Sequence, residues 1–137
     1  MKKSFNIVFA ITFIAIAHPG MSQNFPAVEK YKLKNGMEII FIPYGKQPIT
    51  SITAYVNSGV LSETPGMQSL SNMTAQALTL GNERYSRAKQ DSLLALLGAS
   101  LKVSVRNKYT SLGINFLNRD LETGLDLISS SLLHPSF

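Results

Sequence analysis

Along residues 28–34 the side chains alternate, with Val28, Lys30, Lys32 and Lys34 on one parity and Tyr31 and Leu33 on the other. A period of two is that of a strand whose faces meet different surroundings. Asn35-Gly36 follows, and a second run from residue 37 or 38 to 42 stops at Pro43. An Asn-Gly pair between two such runs predicts a hairpin, since both residues accept positive φ. Beyond the turn-rich stretch 43–48, residues 49–56 predict a third strand with Ile52, Ala54 and Val56 on one face, ended by Asn57, Ser58 and Gly59. Three strands in succession predict a meander, one face of which must be covered.

The period then lengthens. Met67, Leu70, Met73, Ala77, Leu78 and Leu80 recur at helical spacing and predict an amphipathic helix over 67–80, closed by Gly81. Ser86 is a favourable cap for a second helix that runs to Leu97, with Leu93, Leu94, Leu96 and Leu97 as its buried side and Gly98 as its stop. Two strands, 100–105 and 109–117, are joined by Arg106-Asn107-Lys108. The last helix starts near Asn118 or Asp120 and carries Leu121, Leu125, Ile128, Leu132 and Leu133 as an apolar stripe until Pro135. The order is βββααββα. Strands grouped with strands and helices with helices predict a layered α+β fold, an antiparallel-rich sheet covered by helices, rather than a doubly wound one.

Composition narrows the chemistry. A chain of 137 residues with 45% apolar and 15% charged side chains is that of one ordinary globular domain. Cysteine is absent, which removes disulfides, thiolate metal sites, thiol nucleophiles and lipid attachment through an N-terminal cysteine. Only His18 and His134 offer an imidazole.

Lys2 and Lys3 precede an uncharged run over 5–17 and the break Pro19-Gly20, the pattern of a signal peptide. The run is shorter than the ~20 residues of a membrane span, and it lacks the arginines of a mitochondrial transit peptide. Gly20 and Ser22 place cleavage near Ser22, so residues 1–22 are the expected leader and 23–137 the expected domain. Export, to a bacterial periplasm, is the expectation, with no stable membrane span after cleavage. Without Lys2 and Lys3, eleven basic residues face eight acidic ones, a net charge of +3. Lys30, Lys32, Lys34 and Lys46 read as a solvated strand face, and no nucleic-acid partner is implied.

The segments Val-Glu-Lys-Tyr-Lys-Leu-Lys-Asn-Gly-Met-Glu-Ile-Ile at 28–40, Val-Asn-Ser-Gly-Val at 56–60, Leu-Leu-Gly-Ala-Ser-Leu at 96–101 and Leu-Leu-His-Pro-Ser-Phe at 132–137 carry a resemblance. In this order they resemble the opening domain of the insulinase and pitrilysin metallopeptidases, across residues 28–137. The resemblance implies an α+β half-domain of a longer chain whose halves close into a peptide-digesting chamber. It also implies a zinc motif, H-x-x-E-H, on the first helix. Two histidines four apart face one way and bind one metal, and the glutamate takes a proton from the metal-bound water.

Laid on this sequence without gaps from Glu63 through Gly81, the three motif positions fall on Asn72, Ala75 and Gln76. Amides are poor zinc ligands and alanine accepts no proton. The family's remaining glutamate ligand would lie beyond Phe137. The expectation is the N-terminal part of an inactive homologue, with no catalytic, cofactor-binding or metal residue of its own. Zinc would belong to the family or to a partner subunit, a zinc-bearing insulinase-family peptidase whose peptide substrates this chain helps to guide. Two alternatives stay open: an active zinc metalloendopeptidase whose metal site lies in a C-terminal region, and a peptide-binding module unrelated to proteolysis. If the domain is cut just after its third helix, the leucine stripe of that helix is left partly uncovered, and the piece is expected to be marginally stable.

The remaining candidates have plain readings. Asn72 and Gln76, four apart, either touch substrate or hydrogen-bond each other. Asn72-Met73-Thr74 matches a glycosylation sequon, read as chance within a helix. His134 follows two leucines at a helix C-terminus, where a cation meets the helix dipole favourably, and is read as structural, not as a ligand. Ser62 and Ser129 to Ser131 have no histidine base. Asp120, Glu122 and Asp126 open the last helix in the sense its dipole favours.

Overall fold

The computed structural model describes residues 26–137, so the expected leader lies outside the described residues. The element order is β1 (Glu29–Lys32), β2 (Glu38–Phe41), β3 (Ile49–Val56), α1 (Leu70–Ala77), α2 (Arg87–Leu97), β4 (Lys102–Val105), β5 (Thr110–Leu117) and α3 (Leu121–Leu133). Two compact units divide at Gly45 and Lys46. Among the described residues no helix is long and apolar enough to cross a membrane.

The first unit contains the β1–β2 hairpin, antiparallel, with Glu29 opposite Phe41 and Lys32 opposite Glu38. Gly36 has φ of 87° and Asn35 does not take positive φ. The Leu33 carbonyl accepts the Gly36 N–H at 3.0 Å, and the Leu33 N–H donates to the Met37 carbonyl at 2.9 Å. That is a three-residue loop, Lys34 to Gly36, with glycine alone in the left-handed region. Asn35 contributes through its side chain, whose Oδ1 accepts the Met37 N–H at 3.1 Å.

In the second unit three antiparallel strands lie in the order β3-β5-β4. The meander expectation is therefore corrected: β3 pairs with β5, not β2. β5 alternates strictly, burying Leu112, Ile114 and Phe116, and this central strand takes an antiparallel neighbour on each side. β3 sets Ala54 and Ile52 opposite Leu112 and Ile114, and β4 sets Val103 opposite Leu112. Leu112, Ile114 and Phe116 form the core with Ile128 of α3, and Leu94 of α2 packs against it.

The helices bury different residues from those their leucines suggest. Ser86 caps α2 as expected, its Oγ accepting the Lys89 N–H at 3.4 Å, and Gly98 ends it with φ of 61°. The buried residue of α2 is nevertheless Gln90, while Leu93, Leu94 and Leu97 are half-buried and Leu96 is 80% exposed. On α3, Gly124, Leu127, Ile128, Ser130 and Ser131 are buried, whereas Leu121, Leu125 and Leu133 face outward. Phe116 is the reason for that rotation. A Cβ on Gly124 would overlap its ring, so the smallest residue of α3 meets the largest of β5.

Candidate functional site

The motif positions lie on α1, shorter than the helix expected over 67–80. Met67 sits in the turn before it and Leu78 to Leu80 in the turn after it. Its N-cap residue Ser69 has φ of 74° and makes no side-chain cap. Glu63 acts instead. Its Oε2 accepts the Ser69 N–H at 3.1 Å and its Oε1 accepts the Ser71 N–H at 2.9 Å. The Ser71 N–H, foremost, holds this carboxyl below the usual carboxylate range, against the opposing effect of partial burial.

On the helix so placed, Ala75 is buried, while Asn72 and Gln76 are exposed. No hydrogen bond joins Asn72 to Gln76 among the described residues, so the plain reading of that pair is corrected: both amides face outward. Met73, 70% exposed, stands between them in sequence. Zinc does not fit this donor set. Two neutral amides supply no strong ligand, and the residue in the glutamate's place is a buried methyl group. Among the described residues no three His, Cys, Asp or Glu side chains gather as a metal site would require.

The other candidates found partners that lie far off in sequence. Asp126 is not merely an acidic helix opener. Its Oδ1 accepts from the Arg84 guanidinium and its Oδ2 from the Tyr85 hydroxyl, a bond that pushes the Tyr85 pKa up. The Arg84 guanidinium also lies 5.7 Å from the centre of the Tyr85 ring. Asp120 makes no side-chain cap to α3; it accepts from Arg119 at 3.4 Å. His134 is not alone: its Nδ1 lies 3.8 Å from Glu83, whose backbone N–H donates to the His134 carbonyl at 2.9 Å.

Of the serine run, Ser131 is fully buried, and its Oγ donates to Gln90 Oε1 at 3.4 Å. The Asn82 amide donates to the same oxygen at 3.0 Å, and Gln90 Nε2 donates to the Thr79 carbonyl at 3.0 Å. Thus a closed polar network ties the chain after α1 to α2 and α3. It was missed because a lone Gln or Asn in a sequence gives no sign of its burial.

Comparison with known proteins places this geometry. The model of the family Insulinase (Peptidase family M16) matches residues 40–137. A protease from Helicobacter pylori, known from its crystal structure, has a similar fold, with a TM-score of 0.75 and 18% sequence identity. The likeness covers 82% of this chain and 27% of the other, so the chain spans about a quarter of that protease's length. No curated protein matches the sequence.

Proposed function

This chain belongs to the insulinase family, peptidase family M16, and from that premise we propose that it is a non-catalytic member, a structural and substrate-guiding half of an exported peptidase complex. One observation carries the reading. Helix α1 carries Asn72, Ala75 and Gln76, the residues on which the resemblance sets the family's metal-ligand and glutamate positions. Two exposed amides on an uncharged helix neither ionise nor hold a metal, yet each both donates and accepts a hydrogen bond. They suit contact with the backbone of an extended peptide. Exposed Met67, Leu70 and Met73 beside them supply adaptable apolar contact for its side chains. Zinc chemistry then resides in a partner subunit of the same family that carries the intact motif. The reading of residues 1–22 as a leader supports export of this chain to the periplasm.

Pull-down with a zinc-bearing insulinase-family peptidase from the same cell tests the proposal. The expected result is a stable complex that buries well above the ~1,000 Å² of a specific interface. The pair should cleave peptides that this chain, alone, leaves intact. Cleavage of a fluorogenic peptide by this chain in the partner's absence would contradict it.

A further inference from the structure

We propose that Glu63 is the positioning residue of α1, a carboxylate outside the helix that fixes where the helix begins and holds its first turn in a strained form. An ordinary N-cap residue has extended backbone and caps with its own side chain. Ser69 does neither. Its φ of 74° makes it the one non-glycine residue with positive φ among the described residues, and its hydroxyl makes no cap bond. Such a conformation persists in a residue with a Cβ only where its surroundings impose it. Here the imposing group is the Glu63 carboxylate, with one oxygen on the Ser69 N–H and the other on the Ser71 N–H. Negative charge at that end also suits the helix dipole.

Glu63 itself is anchored. The Val60 N–H donates to the Arg106 carbonyl at 3.1 Å and the Leu61 N–H to the Asn107 carbonyl at 2.9 Å, which fastens its loop to the β4–β5 turn. Ser71 Oγ adds a bond to the Gly59 carbonyl at 3.2 Å. α1 buries only Ala75, so apolar packing does little to hold it, and the clamp has correspondingly more to do. The charged groups on the elements around it are few. α1 has none, the β4–β5 turn offers Arg106 and Lys108, and no ion pair joins either of them to Glu63 among the described residues.

The pH dependence follows in sign. A carboxyl whose folded pKa is lowered contributes above the unfolded value of about 4.3 and loses its contribution as pH falls through the folded value. Acid therefore releases the first turn of α1 before the core. The proposal is independent of whether the chain is catalytic.

Hydrogen exchange on the whole chain, resolved by residue, tests it. Glu63→Ala should speed exchange at residues 69–73 about ten-fold relative to the unmodified protein, while Leu127 and Ile128 stay unchanged. Glu63→Gln, which keeps one acceptor oxygen, should fall between. In the unmodified protein, exchange at 69–73, corrected for intrinsic chemistry, should accelerate as pH falls below the ordinary glutamate range. That profile should be flat in Glu63→Gln. Adding Ser69→Gly to Glu63→Ala should restore part of the protection, because glycine takes this φ without strain. Unchanged exchange at 69–73 in Glu63→Ala, equal acceleration in α3, or the same pH profile in Glu63→Gln would each overturn it. Should Glu63→Ala fail to fold, Glu63→Gln and the pH profile decide the question.

Discussion

α3 and α1 hold their places by different means. α3, 13 residues long, sets Gly124 against Phe116 and Ile128 into the core, buries Leu127 fully, and adds Ser131 to the buried network centred on Gln90. α1, 8 residues long, buries a single alanine and takes its starting point from a carboxylate six residues before its cap. The difference separates a helix face fixed by packing from one left open to solvent. Where packing decides, each side chain is constrained by the shape of its neighbours. At Asn72 and Gln76 the side chains face outward, and substitutions there cost the core nothing.

Substitutions along the two helices break or sharpen this contrast. The largest effect is expected of Leu127→Ala on α3, fully buried, at about 3 kcal/mol of lost stability by denaturant unfolding. Gly124→Ala is the more diagnostic change because its sign is at stake. In an exposed helix the exchange would stabilise by about 1 kcal/mol, whereas overlap with Phe116 should destabilise here by about 2 kcal/mol. Gln90→Leu should cost about 2 kcal/mol, since it strands the Asn82 amide and the Thr79 carbonyl. Smallest is the double change Asn72→Ala with Gln76→Ala on α1, expected within about 0.5 kcal/mol of the unmodified protein. A cost for that pair as large as that of Gly124→Ala would erase the distinction between the two helices.

Much of this architecture was legible in the sequence. The shared face of Ile52, Ala54 and Val56, the turn at 106–108 that opens the strand read at 109–117, and the Ser86 and Gly98 caps marked β3, β5 and α2 to within a residue or so. These signals are local, written into neighbouring residues. What escaped depends on distant partners. Leu121, Leu125 and Leu133 are as apolar as Leu127, and only the bulk of Phe116 beneath Gly124 decides which face of α3 turns inward. The pairing of β3 with β5 joins residues more than fifty positions apart, and so does the bond from the Thr110 hydroxyl to the Ser58 carbonyl, at 2.7 Å. Asp126 meets Arg84 and Tyr85 across a similar gap. At the candidate site, helical periodicity brought Asn72, Ala75 and Gln76 onto one helix, but not the role of Glu63. A cap supplied from six residues upstream fits none of the local patterns by which helix starts are read.

The central claim is that this insulinase-family domain keeps the motif helix without its metal chemistry, and zinc content tests it most directly. The purified chain, equilibrated with zinc and then dialysed against metal-free buffer, should retain far less than one equivalent by elemental analysis, and a chelator should leave its melting temperature unchanged. One equivalent of zinc surviving dialysis, removed by the chelator with a fall in melting temperature, would contradict it.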